Sequence, residues 1–563
     1  MTAGCTGAVR GRILYLTLDT VGSSVNIFTP AVALELEAAL AEGLAAGARA
    51  VVLQSAKPGS FVNGVGLLLA ASSHSRAAAL ERAQTLRRCY ESLAAAPVPT
   101  IAAIEGNCYG CGLELALTCD YRIARDTYDT HFYMSELRDY AFIPLFGGTQ
   151  RLPRLLGLEA GMQLLLGERV QARKALRLGL IDRLAPQAGV RRALPSFLAE
   201  LRARGFPKRA EESLVRRKSA AAEVSSMAEV PGPERALARE CLRLARLPFR
   251  RGYRLEEGLR EELASFWRSI GTPHAERAMS FFFVRQAAKA HAIGSASYER
   301  PRRLAVGIDA RTPALRTLAK LLRARRLSGV TLGGGGGRGG GGRGGGGDGG
   351  GGDGGGRVAF AQKKVRGVFT CALGREEIGA DCRALLLFPG ELIPPIELVP
   401  LVDETPWRQG AALFQLLEQA GFAPVVTRGR DRFVSERLLE AFAAALGSAP
   451  RARARAELLA FGFRTPASLW RRLKPRTGVG GPRPRGDLAE RVVLALAAES
   501  IRALDDGALR HASQADLLVS LLFGFPVVRG GLLRHASGGK SAVARDAARV
   551  LGRVQAKRRA GGP

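Results

Sequence analysis

Apolar and polar positions alternate with period two through residues 12–21 (RILYLTLDTV), the pattern of a strand with one buried face. A short apolar run at Ala50–Gln54 reads as a fully buried strand. Between the two, Thr29–Leu44 repeats at helical spacing behind a Thr-Pro start. A third strand, Thr100–Ile104, runs into Glu105-Gly106-Asn107, and the following GCGLELALTC reads as helix. This alternation predicts an α/β domain over residues 1–190. Residues 191–300 are rich in Arg, Glu, Ala and Leu, carry no strand signal and read as a helical linker. A second α/β pattern opens at Arg303–Gly307 and fills residues 301–430. It has strand-like runs at Ala384–Phe388, Ile396–Val399 and Ala423–Thr427 and a helix at Arg408–Ala420. Residues 431–563 read as an all-helical domain, broken by the Gly/Pro/Arg-rich segment Lys474–Asp487.

Composition changes this picture in two places. Of 69 glycines, most of one long tract lies at Gly333–Gly356, broken by Arg338, Arg343, Asp348 and Asp353. Such a tract buries too little apolar surface to offset its backbone entropy, so it is expected to be a flexible loop. It also lacks the flanking strand and helix that a phosphate-binding loop needs. The net charge of +32 is unevenly placed: residues 1–190 hold 18 Lys/Arg against 16 Asp/Glu, so nearly all the excess lies downstream. Two readings of that Arg excess stay open, a compositional bias on solvated helix faces and a surface for polyanions. With 47% apolar and 24% charged residues the chain is globular rather than collagen-like or wholly disordered. Eight Cys are too few for a disulfide scaffold, and no leader-like or membrane-spanning run is visible, so a reduced, cytoplasmic setting is expected.

Two segments of the first domain carry chemistry. In Ile101–Leu117 an apolar strand ends in a Gly-punctuated turn, and Gly110-Cys111-Gly112 opens a helix bearing Glu114. N–H groups at a helix start lack intrahelical partners and can receive an oxyanion. Gly59–Gly66 (GSFVNGVG) is a second Gly-rich turn after a strand that can supply another. Two such donors on one carbonyl oxygen stabilise an enolate, and a pair of carboxylates moves protons on and off carbon and water. Cys108 and Cys111 have Cys-x-x-Cys spacing without a second pair, and the six His are scattered, so no metal is assigned.

The combination APVPTIAAIEGNCYGCGLELALTCDYRIA, FGGTQRLPRLLG and ARKALRLGLIDRLAP resembles the crotonase superfamily in its enoyl-CoA hydratase branch, over about residues 10–190. The resemblance implies a ββα-spiral fold and a CoA thioester substrate. It places the two catalytic glutamates on Glu114 and Glu136. Counted from Phe132 the second acid falls on Glu136; counted back from Pro144 it falls on Leu137. The implied oxyanion donors are the backbone N–H groups of Val65 and Cys111. Val65-Gly66 stands where the family has Ala-Asp, and Cys111 where it has Gly. Hydration of a 2-enoyl-CoA is the activity implied, with 3,2-enoyl-CoA isomerisation the alternative if Leu137 faces the acyl chain.

The full layout resembles the multifunctional alpha subunits of fatty-acid oxidation complexes, which join a hydratase through a linker helix to a 3-hydroxyacyl-CoA dehydrogenase. The residues carrying this are SFFFVRQAAKAH (280–291), LLLFPGELIPPIELV (385–399) and ALDDGALRHASQADLLVSLLFGFPVVRGGLLRHA (503–536). It implies a truncated Rossmann-like domain at 301–430. The dehydrogenase His falls on Leu385, its Asn residues on Phe388 and Glu436, and only its Glu is kept, as Glu397. Gly307–Pro313 lacks Gly-x-Gly-x-x-Gly. The expectation is a dehydrogenase half without activity and without NAD, so no cofactor is assigned. A thiolase-like subunit and a homo-oligomer are the implied partners. Some crotonase-fold proteins bind RNA, but nucleic acid ranks below these as a partner, as does a scaffold role without catalysis.

Overall fold

The computed structural model describes residues 4–64 (without 24 and 58), 76–205 (without 128 and 129), 207, 224–293, 304–308, 330–334, 356–360, 369–373, 382–387, 395–400, 414, 417–418, 422–428, 432–473, 487–538 and 543–549. Two compact units divide the chain, Met1–Met279 and Ser280–Pro563.

In the first unit, strands alternate between two sheets. The larger has the order β1 (Cys5–Arg10), β2 (Ile13–Leu18), β3 (Ala50–Ser55), β5 (Thr100–Ile104), β7 (Tyr121–Arg125), β10 (Arg183–Ala185). Its first pair is antiparallel and the rest parallel. The smaller has the order β4 (Ser60–Val62), β6 (Asn107–Tyr109), β8 (His131–Tyr133), β9 (Val170–Gln171). From β3 to β8, each turn of chain lays one strand in the large sheet, one in the small, and then a helix. That is the ββα spiral expected from the sequence. The helices are α1 (Pro30–Ala45), α2 (Arg76–Ala94), α3 (Cys111–Thr118), α4 (Glu136–Tyr140), α5 (Gly148–Leu156), α6 (Leu158–Leu165), α7 (Ala172–Leu178) and α8 (Val190–Ala203).

Local sequence explains several of these. Helix α1 starts where Thr29 Oγ1 accepts the N–H of Val32 and Pro30 takes the first position, as the Thr-Pro start predicts. Helix α8 places Val190, Leu194, Phe197, Leu198 and Leu201 on one stripe, which covers Val52, Ile101, Tyr121 and Ile123 on one face of the large sheet. The unit extends past the boundary at 190 that the sequence suggested. Helices α9 (Arg235–Arg246) and α10 (Leu255–Ile270) lie in the stretch read as linker, yet Ala238, Cys241, Leu244 and Ala245 of α9 belong to the unit's main core. Apolar residues in a polar-looking, Arg-rich helix still form a buried face when they recur at helical spacing. Helix α11 (Pro273–Ile293) follows.

The second unit holds a seven-stranded sheet of order β12 (Val330–Gly334), β11 (Leu304–Ile308), β13 (Gly356–Phe360), β14 (Phe369–Leu373), β15 (Cys382–Leu386), β16 (Pro395–Pro400), β17 (Ala423–Val426). All neighbours are parallel except β15 and β16. The two ends of the glycine tract, Gly333-Gly334 and Gly356, are strand residues; residues 335–355 lie outside the described ones, as does most of the helix expected at 408–420. Helices α12 (Val434–Leu446), α13 (Arg451–Phe461), α14 (Ala467–Arg472), α15 (Leu488–Asp505), α16 (Ala512–Phe523) and α17 (Leu532–Ser537) form the predicted helical region. Their core includes Phe442 stacked on Phe523 at 4.6 Å.

Passage from the large sheet to the small one is tightest at Gly106, between β5 and β6. Its φ is +85°, and a Cβ there would collide with the backbone of Gly59. Gly106→Ala combines left-handed strain with a backbone clash and should destabilise the first unit by at least about 3 kcal/mol, read as a lowered melting temperature.

Candidate active site

The carboxyl ends of three parallel strands of the small sheet converge. β4 pairs with β6, and β6 with β8. The chain leaves β4 into Asn63-Gly64, β6 into Gly110-Cys111, and β8 into Met134-Ser135-Glu136. Both Gly-rich turns and the second candidate acid are thus delivered to one edge by sheet register alone. Gly110 (φ +52°) donates its N–H to Tyr133 O at 2.8 Å, tying its turn to β8. Gly112 is needed for close approach: a Cβ there would stand 2.5 Å from Val62 O. An aromatic trio backs both turns. Tyr90 stacks on Phe146 at 4.6 Å, meets Phe28 edge-on at 5.6 Å and donates its hydroxyl to Cys111 O at 2.7 Å. Phe28 N–H donates to Gly64 O at 3.1 Å. Cys111 is the first residue of α3, so its N–H has no acceptor within the helix. Val65 lies outside the described residues. Both cysteines of the Cys-x-x-Cys pair are buried thiols whose pKa burial pushes up, and Cys108 Sγ donates to Gly112 O.

Glu114 and Glu136 share this edge. Glu114, on α3, is 1% exposed, and its Oε1 accepts the N–H groups of Phe146 and Gly148, both at 2.8 Å. Its carboxyl is held well above the usual range, first by burial and then by the charges of Glu262 and Glu136. Glu136, the first residue of α4, is 8% exposed. Its Oε1 lies over Gly110, 2.5 Å from where a Cβ would project, and its Oε2 is buried with no partner among the described residues. Burial, with smaller contributions from Asp139 and Glu262, pushes its pKa to about 7. Leu137, the other candidate, is fully buried in the main core.

A third carboxylate, missed in the sequence, completes the group. Glu262 of α10 is completely buried and accepts the N–H groups of Gly147 (2.5 Å) and Thr149 (2.9 Å) together with the Thr149 hydroxyl. Burial lifts it to about 7. The signal was present: Gly258, Glu262, Ser265, Phe266 and Ser269 form the buried stripe of α10, and a glutamate on such a stripe needs a partner.

In the second unit, Leu385 and Glu397 pair directly across β15 and β16. The Glu397 carboxylate is fully buried and accepts from Thr427 Oγ1 (2.6 Å), Val434 N (2.8 Å), Ser435 N (2.8 Å) and the Ser435 hydroxyl. It caps the start of α12, whose N-cap Phe433 offers no side-chain acceptor. Glu436 is half-buried one residue further on, and Phe388 lies outside the described residues.

Residues 10–228 match the enoyl-CoA hydratase/isomerase family model. This first part of the chain has the crotonase fold. Among curated relatives, the fatty acid oxidation complex subunit alpha of Vibrio campbellii is 38% identical over 180 residues, covering 31% of this chain and 25% of the relative. The same subunit of Aliivibrio fischeri is 30% identical over 284 residues, 48% of this chain and 40% of the relative. The chain thus spans a quarter to two-fifths of the length of these relatives. A solved enoyl-CoA hydratase from Mycobacterium avium subsp. paratuberculosis K-10 is 20% identical with a TM-score of 0.37, covering 51% of this chain and 97% of that one. Glu262 lies beyond the matched crotonase domain, yet its carboxylate binds inside it.

Because Glu136 in the crotonase domain has a raised folded-state pKa, the stability it contributes is complete below the ordinary 4.5 and lost as pH rises through about 7. Glu136→Gln, neutral at every pH, removes that loss. Its melting temperature should rise relative to wild type between about pH 5 and 8; a constant difference across that range would count against the assignment.

Proposed function

We propose that this chain is an enoyl-CoA hydratase acting on 2-enoyl-CoA thioesters in fatty-acid β-oxidation or related acyl-CoA metabolism. The observation that carries this reading is the pair of buried carboxylates, Glu114 and Glu136, flanking the Gly110–Cys111 turn at the start of α3. The thioester oxygen sits on the N–H groups of Cys111 and Val65. An ionised carboxylate of the pair takes a proton from water, and the hydroxide oxygen bonds to C3. The C2–C3 π electrons move onto the thioester as an enolate, which the two N–H groups stabilise. The other, protonated carboxyl then returns a proton to C2. One water is added and no proton is lost. Buried carboxyls with raised pKa values suit this division, because one stays protonated near neutral pH while its neighbour ionises.

Two acids at one edge favour hydration over the single-acid isomerisation between 3- and 2-enoyl thioesters. Purified protein should bleach the absorbance of a 2-enoyl-CoA, and Glu114→Gln and Glu136→Gln should each lower the rate by roughly 10²–10⁴. Conversion of a 3-enoyl-CoA to conjugated enoyl-CoA without a hydroxyacyl product would favour the isomerase; no turnover of any enoyl thioester would remove the hydratase.

For the second unit, we propose a Rossmann-like, 3-hydroxyacyl-CoA dehydrogenase-like fold without catalysis. Leu385, opposite Glu397, takes no proton, and the Glu397 carboxylate is occupied by four donors of its own fold. A cytoplasmic setting, a thiolase-like partner and self-association belong to the same reading. Calorimetry should detect no saturable NADH binding, and acetoacetyl-CoA should not be reduced; saturable binding would overturn this part.

A further inference from the structure

Four successive backbone N–H groups, from Phe146 to Thr149, open α5, and two carboxylates from distant helices divide them alternately. Glu114 takes those of Phe146 and Gly148; Glu262 takes those of Gly147 and Thr149. The approach depends on the two glycines. A Cβ at Gly147 (φ +101°) would collide with Arg151 Nη1, and one at Gly148 would stand 3.0 Å from Glu114 Oε1. Arg151 Nη1 donates to Phe146 O at 2.8 Å, and its charge acts on Glu262.

We propose that Glu262 is a positioning residue: it holds the odd-numbered N–H groups, leaves the even-numbered ones to Glu114, and shares with Glu114 the protons of one buried carboxylate pair. The inference rests on the hydratase reading for its kinetic consequence, but the pairing itself does not. Groups facing the pair from the surrounding elements are Arg151 and Thr149 on α5, Glu136 on α4, Cys111 on α3, Tyr90 on α2 and Cys241 on α9. Of these, Arg151 supplies the positive charge, and burial dominates the raised values of both carboxyls. Two like charges on one helix start do not ionise independently. The first carboxylate gains the dipole and its N–H groups; the second must ionise against the first.

Neutralising Glu262 therefore lets Glu114 ionise at lower pH. In Glu262→Gln, the limb of the pH–rate profile that reports the ionised base should move down by about one pH unit. Glu262→Asp keeps the charge on a shorter stem, so it should leave the limb near its wild-type position while lowering kcat. A mere helix cap would lower stability in both variants and leave the limb in place, and an unmoved limb in folded Glu262→Gln overturns the proposal. A second measurement needs neither turnover nor any change at Glu262 itself. In full-length protein carrying ¹³C-labelled glutamate, the carboxyl resonance of Glu262 should titrate at lower pH in Glu114→Gln than in wild type. Equal midpoints would overturn the pairing, whereas absent hydratase activity would bear only on the function proposed above.

Discussion

Unpaired N–H groups at a helix start, buried away from water, must be answered by an acceptor from somewhere else in the fold. The start of α5 is the point on which the first unit turns. Its N-cap, Gly147, has no side chain to offer, and the segment is too deep for solvent. Glu114 and Glu262 answer it from α3 and α10. This requirement pulls the α9–α10 region against the spiral and makes it part of the structure that carries the candidate acids. Gly258 follows the same logic: a Cβ there would stand 2.3 Å from Gln150 Oε1 and 2.4 Å from the Tyr253 hydroxyl, so glycine lets α10 approach α5 with both side chains in place.

The device recurs. Helix α8 begins at Gly189, whose neighbour Val190 donates its N–H to Glu105 Oε1, 85 residues earlier in the chain. Helix α17 begins at Gly531, and Asp516 accepts the N–H of Leu533. Helix α12 begins at Phe433 and is served by Glu397. In each case the stabilising carboxylate is supplied by a different element, so the secondary structure is contingent on the tertiary one. Where the acid is buried, its desolvation is offset by N–H donors and by the positive end of the dipole.

That arrangement explains what was legible in the sequence and what was not. Period-two and helical spacing placed β2, β3, β5 and α1 within a few residues, because those elements declare themselves through their own apolar faces. The Gly110-Cys111-Gly112 turn and Glu114 were readable because glycines at a strand–helix junction have few other uses. Strand β1 was missed: beyond Cys5 its residues are exposed, and it is held by pairing with β2, not by a buried stripe. Glu262 was missed because a lone Glu in an Arg/Glu-rich helix looks solvated until the buried stripe around it is traced. The choice between Glu136 and Leu137 was open in the sequence because both are short steps from Phe132, and burial does not separate them, since both side chains are buried.

Glu397 illustrates how a buried acid can be required by the fold itself. Its oxygens are fully engaged with Thr427, Val434 and Ser435, and removing it would strand a buried helix start and two hydroxyls at once. An acid in that situation is preserved by the folding of its own neighbourhood, whatever reaction is or is not run beside it. Its place in the chain is therefore set by architecture, because a helix start and two hydroxyls depend on it.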